Sequence, residues 1–136
     1  MIKKPKKAKR VSDQVLDTLV RKIVKLRADG HCKRCGKYVG TENLAAAHLY
    51  GRKRKVVRWD LRNVWAICDN PPIGMKCHMT IDNDPIAKAS FMFEILTPEE
   101  IEDLEWMASR TLKDYPIDRE QLREELKKTI AKLEGE

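Results

Sequence analysis

Four cysteines are the residues whose types and spacing most clearly indicate chemistry in this chain. Cys32 and Cys35 are two residues apart, and Cys68 and Cys77 follow with eight residues between them. The Cys-x2-Cys spacing lets one turn present two thiolates to a single zinc ion, and Gly36 relieves the tight backbone that follows. We therefore predict one zinc site built from all four cysteines, although the irregular second spacing makes the signal weaker than two tight pairs.

Three further polar residues alternate with the cysteines and indicate that the zinc site supports catalysis. They are His48, Asn63 and His78. An imidazole with a pKa of about 6.5 can accept a proton at neutral pH, which makes His48 a candidate general base. Each residue also has a simpler interpretation: His48 follows three alanines as a core histidine would, Asn63 could cap a turn, and His78 could replace a cysteine as a zinc ligand.

Composition limits the class of protein. With 136 residues, 36% charged and only 6% aromatic, we expect one domain with a modest core that a metal would stabilise. No apolar run approaches the ~20 residues of a membrane span, and the N-terminus lacks the apolar region of a secretory signal. We therefore expect a cytoplasmic protein, and thiols that stay reduced there favour metal binding over disulfides.

Charge is distributed unevenly along the chain. Residues 1–90 carry 21 Lys and Arg against 8 Asp and Glu, whereas residues 91–136 carry 7 against 13. Basic runs at residues 3–10 and 52–55 lie beside the cysteine and histidine motifs. A basic region around a candidate site favours a polyanion such as nucleic acid as the partner, with simple solubility as the alternative.

The pattern of apolar and capping residues predicts an α+β fold, with a small zinc-stabilised finger between flanking helices. Residues 1–11 read as a basic flexible arm, and residues 12–136 as a single domain. That domain divides into an N-terminal helical part at 12–30, the zinc finger at 31–83 and C-terminal helices at 84–136. Within these parts we predict strands at 44–49 and 64–67, a loop at 50–62, a turn at 70–74, and helices at 13–28, from 77, at 85–95, from 98 and at 118–134.

The order of these residues resembles the HNH endonuclease family, and within it the phage recombination nucleases of the NinG type. The resemblance covers residues 30–83, while the flanking helices match only in general character. The segments that carry it are Cys32-x2-Cys35-Gly36, Ala46-Ala47-His48-Leu49, Arg52, Arg58-Trp59-Asp60-Leu61-x-Asn63-Val64, Cys68 and Cys77-His78.

The resemblance implies a ββα-metal finger on a treble-clef zinc site that hydrolyses phosphodiester bonds of DNA, including branched recombination intermediates. His48 would be the general base, Asn63 would orient it through its amide, and His78 would ligate a catalytic Mg²⁺ or Mn²⁺. Arg52 would grip the phosphate. The basic side chains expected to contact DNA are Arg52, Lys53, Arg54, Lys55, Arg58 and Arg62.

One departure from the family pattern affects the catalytic metal. Many HNH enzymes place an acidic residue or histidine just before the general base, where this chain has Ala47. Asp82, four residues after His78 on the same helical face, is our candidate for the missing ligand, and Asp60 is the alternative. Without catalysis, the chain would be a zinc-stabilised DNA-binding module. The apolar stripe of the last helix could also pair with a second copy to form a homodimer.

Overall fold

The computed structural model of this chain describes residues 10–69 and 76–135, and it has the predicted α+β architecture. Most of the predicted basic arm and all of the predicted turn at 70–74 lie outside the described residues. The regular elements, in chain order, are α1 Asp13–Ala28, β1 Leu44–His48, β2 Val64–Cys68, α2 Cys77–Asn83, α3 Pro85–Ile95, α4 Pro98–Ala108 and α5 Arg119–Gly135. None of the helices described is both long enough and apolar enough to cross a membrane.

Helix α1 has the bounds that its capping residues predict. The hydroxyl of Ser12 accepts a hydrogen bond from the Val15 backbone N–H at 3.2 Å, which satisfies one of the free amides of the first turn. Asp29 ends the helix in the left-handed conformation with φ of 48°. The buried stripe of the helix consists of Leu16, Val20, Ile23 and Val24, and this stripe packs onto the sheet.

Strands β1 and β2 form an antiparallel hairpin whose register fixes the positions of the candidate site residues. Leu44 pairs with Cys68 at one end of the hairpin, and His48 pairs with Val64 at the other. Leu44 and His48 are four residues apart, so they lie on the same face of β1. Because directly paired residues share one face of a sheet, Cys68 is on that face too, together with His48. Four residues of extended strand separate the two ends by about 13 Å. The general-base candidate and the cysteine site therefore lie at opposite ends of the hairpin.

Helix α5 packs along α1 within the same chain. Leu126 and Ile130 of α5 are buried, and Lys22 of α1 forms an ion pair with Glu134 at 2.8 Å. The stripe that we considered as a dimer surface is therefore used inside the chain. Its burial adds apolar area to a domain whose finger alone has little core.

The two helices between the finger and α5 begin where the sequence predicts. Asp84 accepts hydrogen bonds from the backbone amides at the start of α3. Thr97 and Glu100 form a reciprocal capping box at the start of α4, as their spacing indicates. Buried Phe91 of α3 and Leu104 of α4 join both helices to the single apolar core.

Candidate functional site

The four cysteines come together into a cluster whose geometry fits a metal ion. Their sulfur atoms all lie within 4.8 Å of one another, and the Cys35 and Cys68 sulfurs are 4.0 Å apart. Tetrahedral zinc with Zn–S bonds of about 2.3 Å needs sulfurs about 3.8 Å apart. Four cysteines at this separation could hold a zinc ion, which confirms the grouping of Cys32, Cys35, Cys68 and Cys77.

Hydrogen bonds and burial act in opposite directions on the charge state of the four thiols. The hydrogen bonds favour the thiolate form, whereas burial disfavours it unless a cation is present. Backbone amides of Cys35 and Cys68 donate to the Cys32 sulfur at 3.4 and 3.3 Å. Arg34 donates to the Cys77 sulfur at 3.4 Å. Burial nevertheless raises the pKa of the Cys32 and Cys77 thiols, because an uncompensated buried thiolate is costly. At Cys35 burial acts in the same direction, but hydrogen bonds from the Lys37 amide and the neighbouring cysteines outweigh it and lower the pKa to about 7. A divalent cation removes that cost, and the donor set suits zinc.

His48, at the end of β1, is held in one tautomer by a backbone carbonyl. Its Nε2 lies 3.0 Å from the carbonyl oxygen of Arg58. Because a carbonyl can only accept, Nε2 carries the proton and Nδ1 presents a lone pair. Burial lowers the pKa of His48 below its usual 6.5, and the nearby positive charge of Arg52 acts in the same direction. The ring is therefore neutral at neutral pH, as a general base requires.

The free nitrogen of His48 reaches solvent. Within the part of the chain that the structure describes, Nδ1 has no hydrogen-bond partner, and the one buried side-chain nitrogen or oxygen without a partner is Nε of Arg123. His48 lines a cleft of about 10 Å³ together with Asp17 and Arg21 of α1 and with Arg52. That volume is enough for about one water molecule, so the cleft can hold a water among His48, two arginines and Asp17.

Asn63 does not orient His48 directly, which corrects our expectation for it. The residue is fully buried, and its Oδ1 accepts from the Tyr50 amide at 2.8 Å. Its Nδ2 donates to the carbonyls of Tyr50 and Val57, each at 3.0 Å. Both amide hydrogens are thus committed to the loop that follows His48. Asn63 holds the shape of this loop, and it acts on His48 only through the backbone.

Two of the six basic residues expected on DNA are instead committed to internal ion pairs. Arg58 donates to both carboxylate oxygens of Asp17 at 3.0 and 2.6 Å, and its side chain is only 15% exposed. Arg62 is paired with Asp60 and Asp103, each at 2.8 Å. These fork-shaped pairs with carboxylates occupy the donors that a phosphate would need. Arg58 and Arg62 are therefore structural residues in this fold.

The other basic residues of the loop are exposed and keep at most weak internal contacts. Lys55 lies 3.3 Å from a carboxylate oxygen of Asp13, and Arg54 is 3.5 Å from the carbonyl of Ala108. Arg52 and Lys53 have no ion pair among residues 10–69 and 76–135. The cationic surface available to a polyanion is thus formed by residues 52–55, next to His48.

His78 lies at the cysteine end of the hairpin, with a hydrogen bond to one carboxylate and a second carboxylate within ion-pair distance. Its Nδ1 is 3.0 Å from Asp69, and its Nε2 is 3.4 Å from Asp82. The predicted proximity of His78 and Asp82 is present, whereas Asp60 is committed to Arg62. No hydrogen bond or ion pair joins His78 to His48 in the described residues. The structure therefore does not bring the two histidines into one contact.

Sequence reasoning missed Arg21 and Asp69. Arg21 lies one helical turn after Asp17, and that i, i+4 spacing places both on one face of α1. Asp69 directly follows Cys68, so any site that includes the start of α2 would have Asp69 nearby. Both spacings can be read from the sequence. They identify Arg21 and Asp69 as site residues only once the packing of α1 and α2 on the hairpin is known.

Comparison of this chain with models of protein families, with curated proteins and with solved structures finds no match. The fold and the cluster by themselves define the class: an α+β protein with a two-stranded sheet and a candidate metal centre of four cysteines.

Proposed function

We propose that this chain is a DNA endonuclease of the HNH type, stabilised by a structural zinc ion, with His48 as its general base. One observation carries the proposal: the Arg58 carbonyl fixes the Nε2–H tautomer of His48, which leaves Nδ1 as an acceptor, and the residue lines a water-sized cleft together with Arg21 and Arg52. A histidine that serves only the core has no need for an accessible lone pair beside two arginines.

The side chains around His48 match the steps of phosphodiester hydrolysis. A water in the cleft gives its proton to Nδ1 as its oxygen attacks phosphorus, and the bond from phosphorus to the leaving oxygen breaks. Arg21 and Arg52 carry fixed positive charge where negative charge grows on the phosphate oxygens. The leaving oxygen takes a proton from solvent. The basic residues 52–55 hold the DNA backbone against this cleft.

A catalytic Mg²⁺ or Mn²⁺ is implied by the resemblance, but its proposed ligands do not fit as arranged. His78, Asp69 and Asp82 are donor types that such an ion accepts. The two carboxylates bond opposite nitrogens of the ring, so the three donors do not converge on one point. Among the described residues, only the cysteines form a group close enough to hold an ion. We therefore assign no step to this ion.

The second candidate function is a zinc-stabilised DNA-binding module without catalysis. It is favoured because no contact joins His48 to His78 among the described residues, whereas a nuclease in which both histidines act on one phosphate needs them close together. This module would use the same cationic loop and zinc site, and it would leave the His48 lone pair unused.

Cleavage assays separate the two candidates. Wild-type protein is incubated with supercoiled, linear and four-way DNA in Mg²⁺ or Mn²⁺, and DNA binding is measured in Ca²⁺. We expect nicking by the wild type and a loss of about 100-fold or more in His48→Ala, the range of general-base catalysis. DNA affinity should be retained, and added imidazole should restore part of the rate. Unchanged cutting by His48→Ala contradicts the proposed base, and binding without cutting by the wild type supports the module.

A further inference from the structure

A second and larger cleft lies next to the His48 cleft. It has a volume of about 280 Å³ and is bounded by the C-terminal end of α1, the turn at Cys32 and the outer edge of β2. Val24 and Ala28 form an apolar wall, and Trp65 forms another part of the lining. Arg27 and Lys33 also line it, and none of the lining residues that the structure describes carries a carboxylate. Apolar walls with cationic side chains suit a flat apolar group that carries negative charge.

The cleft is preformed rather than dependent on a ligand. The Trp65 indole N–H donates to the Arg62 carbonyl at 2.7 Å, which fixes the ring. The backbone amide of Lys33 donates to the Ala66 carbonyl at 3.0 Å and holds the cysteine turn against β2. The Lys33 ammonium lies over the Trp65 ring, 5.3 Å from its centre, so a base that stacks on this face would displace the ammonium toward the phosphates of the same strand. Rigid walls reduce the entropy that a ligand must lose on binding.

The two clefts lie one helical turn apart along α1. Val20 lines the His48 cleft and Val24 lines the larger one, while Val64 lines both. One turn of helix is about 5.4 Å, which is close to the distance between neighbouring phosphates along a single strand. A nucleotide seated in the larger cleft would therefore place an adjacent phosphate near His48.

We propose that this cleft binds one unpaired nucleotide of a DNA strand, with its base stacked against Trp65 and its phosphates on Arg27 and Lys33. The inference rests on the proposed function, because it identifies the substrate as DNA that contains an unpaired base. A base within a duplex has both faces covered and cannot enter. A volume just below that of ordinary small-molecule pockets accommodates one base and its sugar but not a base pair. Stacking on an aromatic ring works for every base, so the site reads structure rather than sequence.

The test measures binding in Ca²⁺, with His48→Ala protein so that cleavage does not consume the probe. A 30-base-pair labelled duplex with one unpaired adenine is compared with the fully paired duplex by fluorescence anisotropy. We expect the bulged duplex to bind about 5-fold more tightly or better, the low end of base–aromatic stacking. Trp65→Leu should abolish this preference without changing affinity for the paired duplex. The matched control is Trp106→Leu, a half-exposed tryptophan of α4, which should keep the preference.

A second variant covers the case in which Trp65→Leu does not fold. Ala28→Phe fills the cleft from the end of α1 and should likewise remove the preference for the bulge, with its zinc content and melting temperature showing that it is folded. Equal binding of the two duplexes by the His48→Ala protein overturns the inference, as does a preference that survives both cleft variants. Competition by free dAMP at the same concentration as the bulged duplex would overturn the assignment to a DNA strand. A protein that prefers the bulge but never cuts DNA refutes the nuclease and leaves the cleft assignment intact.

Discussion

Replacing Asn63 tests whether a buried amide shapes the loop that follows His48, the proposed general base. Asn63 has no exposed surface, and its amide makes three hydrogen bonds, to the Tyr50 amide, the Tyr50 carbonyl and the Val57 carbonyl. Asn63→Ala removes all three hydrogen bonds at once and leaves the Tyr50 amide and the Tyr50 and Val57 carbonyls without this partner. The loop from residue 50 to residue 57 then loses the side chain that closes it.

The expected loss of stability follows from counting these bonds. Each protein hydrogen bond contributes about 1 kcal/mol net, and a buried group left without a partner costs about 1–3 kcal/mol. Three bonds therefore amount to about 3 kcal/mol. The hydrogen bond to Val57 is fully buried and the other two are partly buried. Water can therefore replace some of the lost hydrogen bonds, and the loss of stability should stay below the full penalty for three unpaired buried groups. For a domain of this size, that loss lowers the melting temperature by about 10 °C.

Urea unfolding of zinc-loaded protein measures the effect, with Asn83→Ala as the matched control. Asn83 is exposed and donates one bond to the Met79 carbonyl, so its loss should change the free energy of unfolding by no more than about 0.5 kcal/mol. Asn63→Ala should also lose cleavage while it remains folded at low urea. A free energy of unfolding within about 0.5 kcal/mol of the wild type would refute the assignment of Asn63 to the loop.

Asn63→Asp adds a test in which the direction of the change of stability with pH can be predicted. A carboxylate there would still accept from the Tyr50 amide but would face two carbonyl oxygens. Burial and these oxygens raise the pKa of the new carboxyl above its value in the unfolded chain. The stability of this variant relative to wild type should therefore be highest at low pH and should fall as pH rises through the raised pKa. A variant whose relative stability improves with rising pH would contradict the hydrogen-bond directions given for this loop.

The remaining predictions concern pH, metal and charge. Burial lowers the pKa of His48, so kcat/KM should rise with pH to a plateau, with a midpoint below 6.5; a midpoint above 6.5 would argue against a neutral His48 as base. Metal analysis should find about one zinc per chain, and Cys77→Ser should lower both zinc content and melting temperature; full retention of both would exclude Cys77 as a ligand. Arg58→Leu should lower the free energy of unfolding by about 2–3 kcal/mol, just below the range for fully buried ion pairs. Arg52→Leu should leave the melting temperature unchanged, weaken DNA binding and reduce the dependence of that binding on salt. The opposite pattern would reverse the roles assigned to the two arginines.

Local sequence signals were enough to predict the elements of this fold. The sequence predicts the first helix at 13–28, the bounds it has in the structure, and the helices predicted at 85–95 and from 98 begin directly after the caps Asp84 and Thr97. Caps act within one turn, so the chain itself carries the information. The cysteine cluster was predictable for a related reason, because a zinc site needs thiolates at characteristic spacings whatever surrounds it.

The partners of the charged residues could not be predicted in the same way. Arg52 and Arg58 lie in one basic loop, yet only Arg58 meets Asp17, which is 41 residues away in the chain. Which arginine turns inward depends on how α1 lies across the hairpin, and no local pattern encodes that packing. For the same reason, Asn63 was assigned to His48 instead of to the loop. The four-cysteine cluster joins distant parts of the chain and is predictable because zinc itself requires such a ligand set, whereas the contacts of Arg58 and Asn63 with distant elements have no comparable signal in the sequence.

The pairing of Arg58 with Asp17 has a consequence for His48 that links fold to chemistry. Asp17 of α1 fixes the Arg58 side chain, and it also accepts from the Trp59 indole N–H at 2.8 Å. The carbonyl of the same Arg58 then sets the tautomer of His48. Helix α1 thus influences the tautomer of His48 through Asp17, which acts by holding Arg58 and not by binding DNA. Substitution of Asp17 by Asn should therefore impair cleavage more than DNA binding, since Arg21 and Arg52, the arginines proposed to contact the phosphate, stay in place.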